Sequence, residues 1–155
     1  MKISLKILPL TLMFSLATKT EIINHKLQNK LMPTYAHNVE ISQDIACTFH
    51  ITPNHNPKVG KSSLAWFALT RKGGKSIPFS ECNCQLNVYT KPRNSDSEPI
   101  MNPELKGINT EQYQDIPGAE IIFPKVGIYD LEMTGSAKDG KSFKPFKFNY
   151  FVTVT

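Results

Sequence analysis

Long apolar stretches are missing from this chain of 155 residues. The longest, Ile7 to Ala17, is well short of the roughly 20 residues a membrane-spanning helix needs, and no second one of spanning length follows. Catalytic signatures are missing too. No Ser-His-Asp or nucleophile-elbow pattern appears, Glu81, Glu98, Glu104 and Glu111 lie near loop segments where carboxylates are normally solvated, and no Cys-x-x-Cys with its helix context occurs. No enzyme is expected. Excess charge of one sign is lacking as well. The formal charge is +5, but Lys2, Lys6, Lys19, Lys26 and Lys30 precede His37 with only Glu21 against them. Thirteen basic and twelve acidic residues then remain, a net +1 that gives no electrostatic case for nucleic acid or an anionic membrane. Amphipathic helical periodicity of useful length is also absent, which leaves strands to build the core.

What the chain does have begins with an export leader. Lys2 and Lys6 form a basic start, Ile7 to Ala17 the apolar region, and Thr34-Tyr35-Ala36 the small-x-Ala form that a signal peptidase accepts. Cleavage after Ala36 is favoured and makes His37 the new N-terminus. Ser15-Leu16-Ala17 satisfies the same rule, and cleavage after Ala17 is the alternative. The expected organisation is a signal peptide over 1–36 and a single domain over 37–155. The expected address is the periplasm or the thylakoid lumen, with the membrane met only transiently during export.

Period-two alternation runs through the rest. Val39, Ile41, Ile45, Cys47, Phe49 and Ile51 alternate with Ser42, Asp44, Ala46, Thr48 and His50, so one long strand is expected, bent or bulged near Gln43-Asp44, with His50 on the face away from Cys47. Pro53-Asn54-His55-Asn56-Pro57 with Gly60 then supplies turn chemistry. Ser63 to Arg71 is apolar on both faces, as in a central strand, with Trp66 expected as the core anchor. Cys82, Cys84, Leu86 and Val88 share one face of another strand. Residues 91–118 are rich in Pro, Asn, Ser and acids, and read as a long loop outside the core. Tyr129, Leu131 and Met133 mark the next strand, and Phe146, Phe148, Tyr150, Val152 and Val154 the last. Core packing accounts for Trp66 and the Phe146–Tyr150 rings better than a carbohydrate platform does. About seven strands with turns between them predict an all-β, immunoglobulin-like antiparallel β-sandwich.

The segment Phe123-Pro124-x-x-Gly127-x-Tyr129-x-Leu131 resembles the entry to the penultimate strand of immunoglobulin-like sandwiches, where a tyrosine hydroxyl ties the strand to the preceding corner. Leu131 stands where antibody domains carry cysteine, so their intersheet disulfide is excluded at that point. Phe49 to Pro57, Gly60, Leu64 to Thr70, Cys82-Asn83-Cys84-Gln85-Leu86 and Ile116 to Ile121 together resemble small exported cyanobacterial proteins of unassigned function, from His37 to Thr155. The Pro/Gly turn and the Gly-x-Tyr-x-Leu entry are more distantly similar to YtkA-like and FixH-like sandwich domains. These resemblances imply fold and export, and carry over no functional residue. A looser similarity is to periplasmic copper-carrier sandwiches, in which a mature N-terminal histidine binds copper through its amine and imidazole. With cleavage after Ala36, His37 matches that position, although no late histidine follows His55.

Three cysteines in an exported chain permit at most one internal disulfide. Cys47 with Cys82 or Cys84 is the expected pair, because Cys82 and Cys84 on one strand face stand roughly 6.6 Å apart at ~3.3 Å per residue. The candidate metal ligands are His37, His50, His55, Cys82 and Cys84: imidazoles suit Cu(II) or Zn, and thiolates suit Cu(I) or Zn. The primary expectation is a non-catalytic accessory or interaction module, without a cofactor, that binds an envelope or lumenal protein. The alternative is a copper-binding carrier using the mature N-terminal histidine.

Overall fold

Among the described residues the chain forms nine strands: β1 (Asn38–Ser42), β2 (Ile45–Ile51), β3 (Ser62–Arg71), β4 (Ser76–Ile77), β5 (Cys82–Thr90), β6 (Lys106–Thr110), β7 (Tyr113–Ile122), β8 (Gly127–Ala137) and β9 (Phe146–Val154). This computed structural model describes residues 38–155; the leader, both candidate cleavage sites and His37 lie outside the described residues. One antiparallel sheet has the order β1-β2-β3-β7-β6, with β4 also paired to β3, and the other has the order β5-β8-β9. The two sheets make the expected all-β sandwich.

Strand parity explains the core. Ile45, Cys47, Phe49 and Ile51 of β2, Ala65, Phe67 and Leu69 of β3, Leu86 and Val88 of β5, Tyr129, Leu131 and Met133 of β8, and the even-numbered residues of β9 all bury between the sheets. Each large side chain taken from water there contributes about 1.5–3 kcal/mol. Phe49 stacks on Tyr150 with ring centroids 4.5 Å apart, joining β2 to β9 across the interior. The corner expected before β8 is present. The Tyr129 hydroxyl donates to the Lys125 carbonyl at 2.8 Å and accepts from the Lys125 N–H at 3.3 Å, while its ring lies 4.8 Å from that of Phe123.

Two expectations are corrected and a third, Trp66 as a core anchor, is refined. The stretch from Val39 to Ile51 is a hairpin and not a bent strand: Ser42 pairs with Ile45, and the chain reverses at Gln43, whose φ is +59°. The reversal turns Val39 and Ile41 outward, 60% and 78% exposed. Trp66 is 1% exposed but belongs to a separate cluster with Ala68 and Ile116, because its neighbours Ala65 and Phe67 take the inward parity of β3. Residues 91–118 are not a loop outside the core. They contain β6 and the start of β7, place Leu105 in the core, and pair with β5 where the Val88 N–H donates to the Met101 carbonyl at 2.9 Å. Pro117 and Gly118 obscured β7 in the sequence. Pro117 is tolerated because β3 pairs with β7 only from Gly118 onward, so Pro117 has a strand partner on the β6 side alone. Gly118 leaves room for Ile108, whose Cδ1 would lie 2.5 Å from an added Cβ.

Candidate functional site

β2 projects His50 from the outer face of the first sheet, opposite Trp66 of β3. The two rings stack with centroids 5.2 Å apart and planes 20° from parallel. Tyr113, from the start of β7, also packs against the indole, with ring centroids 5.4 Å apart. His55 arrives from the turn after β2. Thr52-Pro53 is a cis peptide, Asn54 and His55 have φ near +50° and +58°, and the His55 N–H donates to the Ile51 carbonyl at 2.8 Å. This tight reversal brings the His55 ring edge-on to His50, centroids 4.5 Å apart. Two of the expected metal ligands are therefore neighbours, and His50 is only 6% exposed. His37 falls outside the described residues. β1 begins at Asn38, whose partner is Phe49, the residue before His50.

The expected cysteine ligands are elsewhere. Cys82 and Cys84 are bonded to each other on β5 of the second sheet, leaving Cys47 free and buried, so the expected bridge from Cys47 is corrected. The strand brings the Cα atoms of Cys82 and Cys84 to 5.3 Å, well under the ideal two-residue rise, and inside the range a disulfide requires. Across the ladder Cys84 faces Gly135, where a Cβ would meet Cys82 Sγ at 2.9 Å and Phe146 Cζ at 2.5 Å. The missing side chain makes space for the bridge. Burial pushes the Cys47 thiol up to about 12, with the Tyr150 hydrogen bond partly opposing it, which keeps this sulfur protonated and inert. Among the described residues no group of three or more His, Cys, Asp or Glu is arranged to hold a metal ion.

Sequence reasoning missed an ionic network on the outer face of the second sheet. Asp130 and Glu132 of β8 are both buried. Arg93, from the segment after β5, covers them: its Nη2 lies 2.7 Å from Glu132 Oε2 and its Nε 3.4 Å from Asp130 Oδ2. The guanidinium sits 3.8 Å above the Tyr89 ring, Lys147 Nζ is 2.9 Å from Glu132 Oε2, and Asn149 Nδ2 donates to Asp130 Oδ1 at 2.9 Å. Burial alone would raise the Glu132 carboxyl, but the Arg93 and Lys147 hydrogen bonds outweigh it and hold the group at about 2. The signal was present in the sequence as two acids at alternate positions of a strand, a like-charge pair on one face that requires a cation. The tie of 91–118 to β5 supplies it.

A third surface lies at the end of the sandwich where β8 begins. Ile100, Val126 and Ile128 border an open depression of about 280 Å³ with Lys91 and Lys125. Exposed Phe151 stands beside it, with Lys91 Nζ 4.6 Å above its ring.

No protein-family model and no curated relative matches the chain. Among solved structures it is similar in fold to a DUF4426 family protein from Pseudomonas aeruginosa PAO1, with a TM-score of 0.51 at 13% identity, over 76% of this chain and 94% of that one.

Proposed function

We propose that this β-sandwich is an exported, non-catalytic accessory module of the cell envelope or thylakoid lumen, and that it acts by binding a transition-metal ion, copper foremost, at the histidine pair. The observation that carries this reading is the meeting of His50 and His55. Dispersed histidines would argue for a plain interaction module, and these two are in ring contact. Imidazole nitrogens bind at about 2.0–2.1 Å from zinc, and nitrogen donors of this kind suit Cu(II) as well. The third donor of this reading is His37, the residue before Asn38 in the sequence. If the leader is cut after Ala36, His37 contributes an amine and an imidazole together. The thiols of Cys82 and Cys84 have no part in this site, because they are oxidised and on the other sheet. The buried carboxylates point the same way: Glu132 is held ionised by Arg93 and Lys147, a stabilising arrangement in place of a proton donor. Export also accords with the resemblance to small exported cyanobacterial and YtkA-like or FixH-like sandwiches.

The deciding experiment is intact mass and N-terminal sequencing of the exported protein, followed by Cu(I), Cu(II) and Zn titration of the same material. A chain beginning at His37 that binds one copper, with affinity lost in His55→Asn, is the expected result. Asparagine tolerates the positive φ of that turn, so the fold survives and the imidazole is removed. No binding above background by folded protein would end the metal reading.

A second reading is favoured by the apolar depression at Ile100, Val126 and Ile128: an envelope or lumenal protein docks there. A photo-crosslinking residue at Ile128, compared with one at exposed Lys72, tests it. Adducts confined to position 128 support a docking face, and equal or absent labelling at both removes it.

A further inference from the structure

We propose that Cys82–Cys84 is a reversible two-electron site that exchanges its disulfide with an external dithiol. This role is separate from the histidine pair and does not depend on metal binding. The bridge encloses a single residue, Asn83, and so short a loop restrains the unfolded chain very little. It also adds little to the native architecture. β5 is laddered to β8 without interruption from Cys82 opposite Ala137 to Thr90 opposite Tyr129, so the sheet holds both cysteines whether or not the sulfurs are joined. Their Cα atoms are 5.3 Å apart on one strand face, so the thiols of the reduced form remain within bonding reach of each other. Gly135, across from Cys84, carries no side chain, and Cys82 Sγ packs into the space that one would fill.

Burial sets the order of steps. Cys84 is half-buried and Cys82 fully buried, so the external thiolate attacks Cys84 Sγ. The S–S bonding pair leaves on Cys82 Sγ, which takes up a proton. The second thiolate of the reductant then attacks its own sulfur in the mixed disulfide, and the departing Cys84 thiolate is protonated. Two electrons and two protons pass to the protein, and the reductant leaves as a disulfide. Cys47 does not interfere, being buried on the other sheet with a thiol held protonated.

The test treats the oxidised, exported protein with dithiothreitol under native conditions, alkylates with N-ethylmaleimide and counts adducts by mass. One adduct, at half-buried Cys84, is expected with the fold retained and two more after denaturation, against a single adduct for denatured protein never treated with dithiothreitol, and oxidised dithiothreitol should restore the bridge. Loss of the bridge should lower Tm by less than about 8 °C. The order of attack is read from single variants. Cys82→Ser, which leaves the half-buried thiol, should form a mixed disulfide with Ellman's reagent at least about tenfold faster than Cys84→Ser. Resistance of the folded protein to excess dithiothreitol, or reduction only together with global unfolding, overturns the proposal. Equal rates for the two variants overturn the assigned order.

Discussion

Replacing Arg93 with methionine tests the ionic network most directly. The substitution keeps an aliphatic stem over Tyr89 while removing the charge that spans Asp130 and Glu132. Depression of the Glu132 carboxyl from 4.5 to about 2 is worth about 3 kcal/mol at 1.36 kcal/mol per unit. Lys147 shares that effect, but its side chain is 59% exposed and screened by solvent, whereas Arg93 is 21% exposed and bound to both acids. Arg93→Met should therefore cost about 2–3 kcal/mol at pH 7, chiefly through two buried carboxylates left short of a cation. The pH dependence has a definite sign. Because the folded Glu132 binds its proton more weakly than the unfolded chain does, its contribution is fully present above about pH 4.5 and disappears as pH falls towards 2. The gap between wild type and Arg93→Met should narrow over that interval. Urea unfolding at pH 7 and at intervals down to pH 2.5, with Glu132→Gln to complete a double-mutant cycle, measures both quantities. A loss under about 0.5 kcal/mol at pH 7, or a gap that widens as the solution is acidified, would refute the assignment.

Three further outcomes are expected. Tyr129→Phe removes the 2.8 Å hydrogen bond to the Lys125 carbonyl while keeping the ring, and should cost about 1–2 kcal/mol, seen as a lower Tm with unchanged secondary structure. Gly135→Ala pushes a methyl against Cys82 Sγ and Phe146, and should cost about 1–3 kcal/mol by urea unfolding; a neutral result would mean that the ring and the bridge reposition freely. The Cys47 thiol, held at about 12 by burial, should resist iodoacetamide at pH 8 in the folded protein and react in denaturant, and labelling of folded protein at a free-thiol rate would contradict its placement.

Alternation determined most of the fold. The buried sets of β2, β8 and β9 follow from period two in the sequence, because a strand sends neighbouring side chains to opposite faces wherever it lies. The Tyr129 corner was legible for the same local reason: Phe123, Gly127 and Tyr129 are close in sequence and meet through their own turn. Parity alone also put His50 on the face away from Cys47. What sequence could not give was direction and partnership. Gln43 carries no turn signature, yet the chain reverses there, since pairing Ser42 with Ile45 starts a ladder that a bent strand would forgo. β6 and β7 were hidden by Gly107, Pro117 and Gly118, residues averse to strands that this sheet accepts because Ile108 needs the space over Gly118 and Pro117 lies beyond the β3 ladder. Tertiary structure alone carried Arg93 over Asp130 and Glu132, and a turn with two positive φ angles set His55 against His50. The same is true of the cysteines, where a two-residue rise suggested separation and the strand brought them together. Local periodicity fixes which face a residue takes, while the contacts that make a site join residues whose separation in the chain carries no such rule.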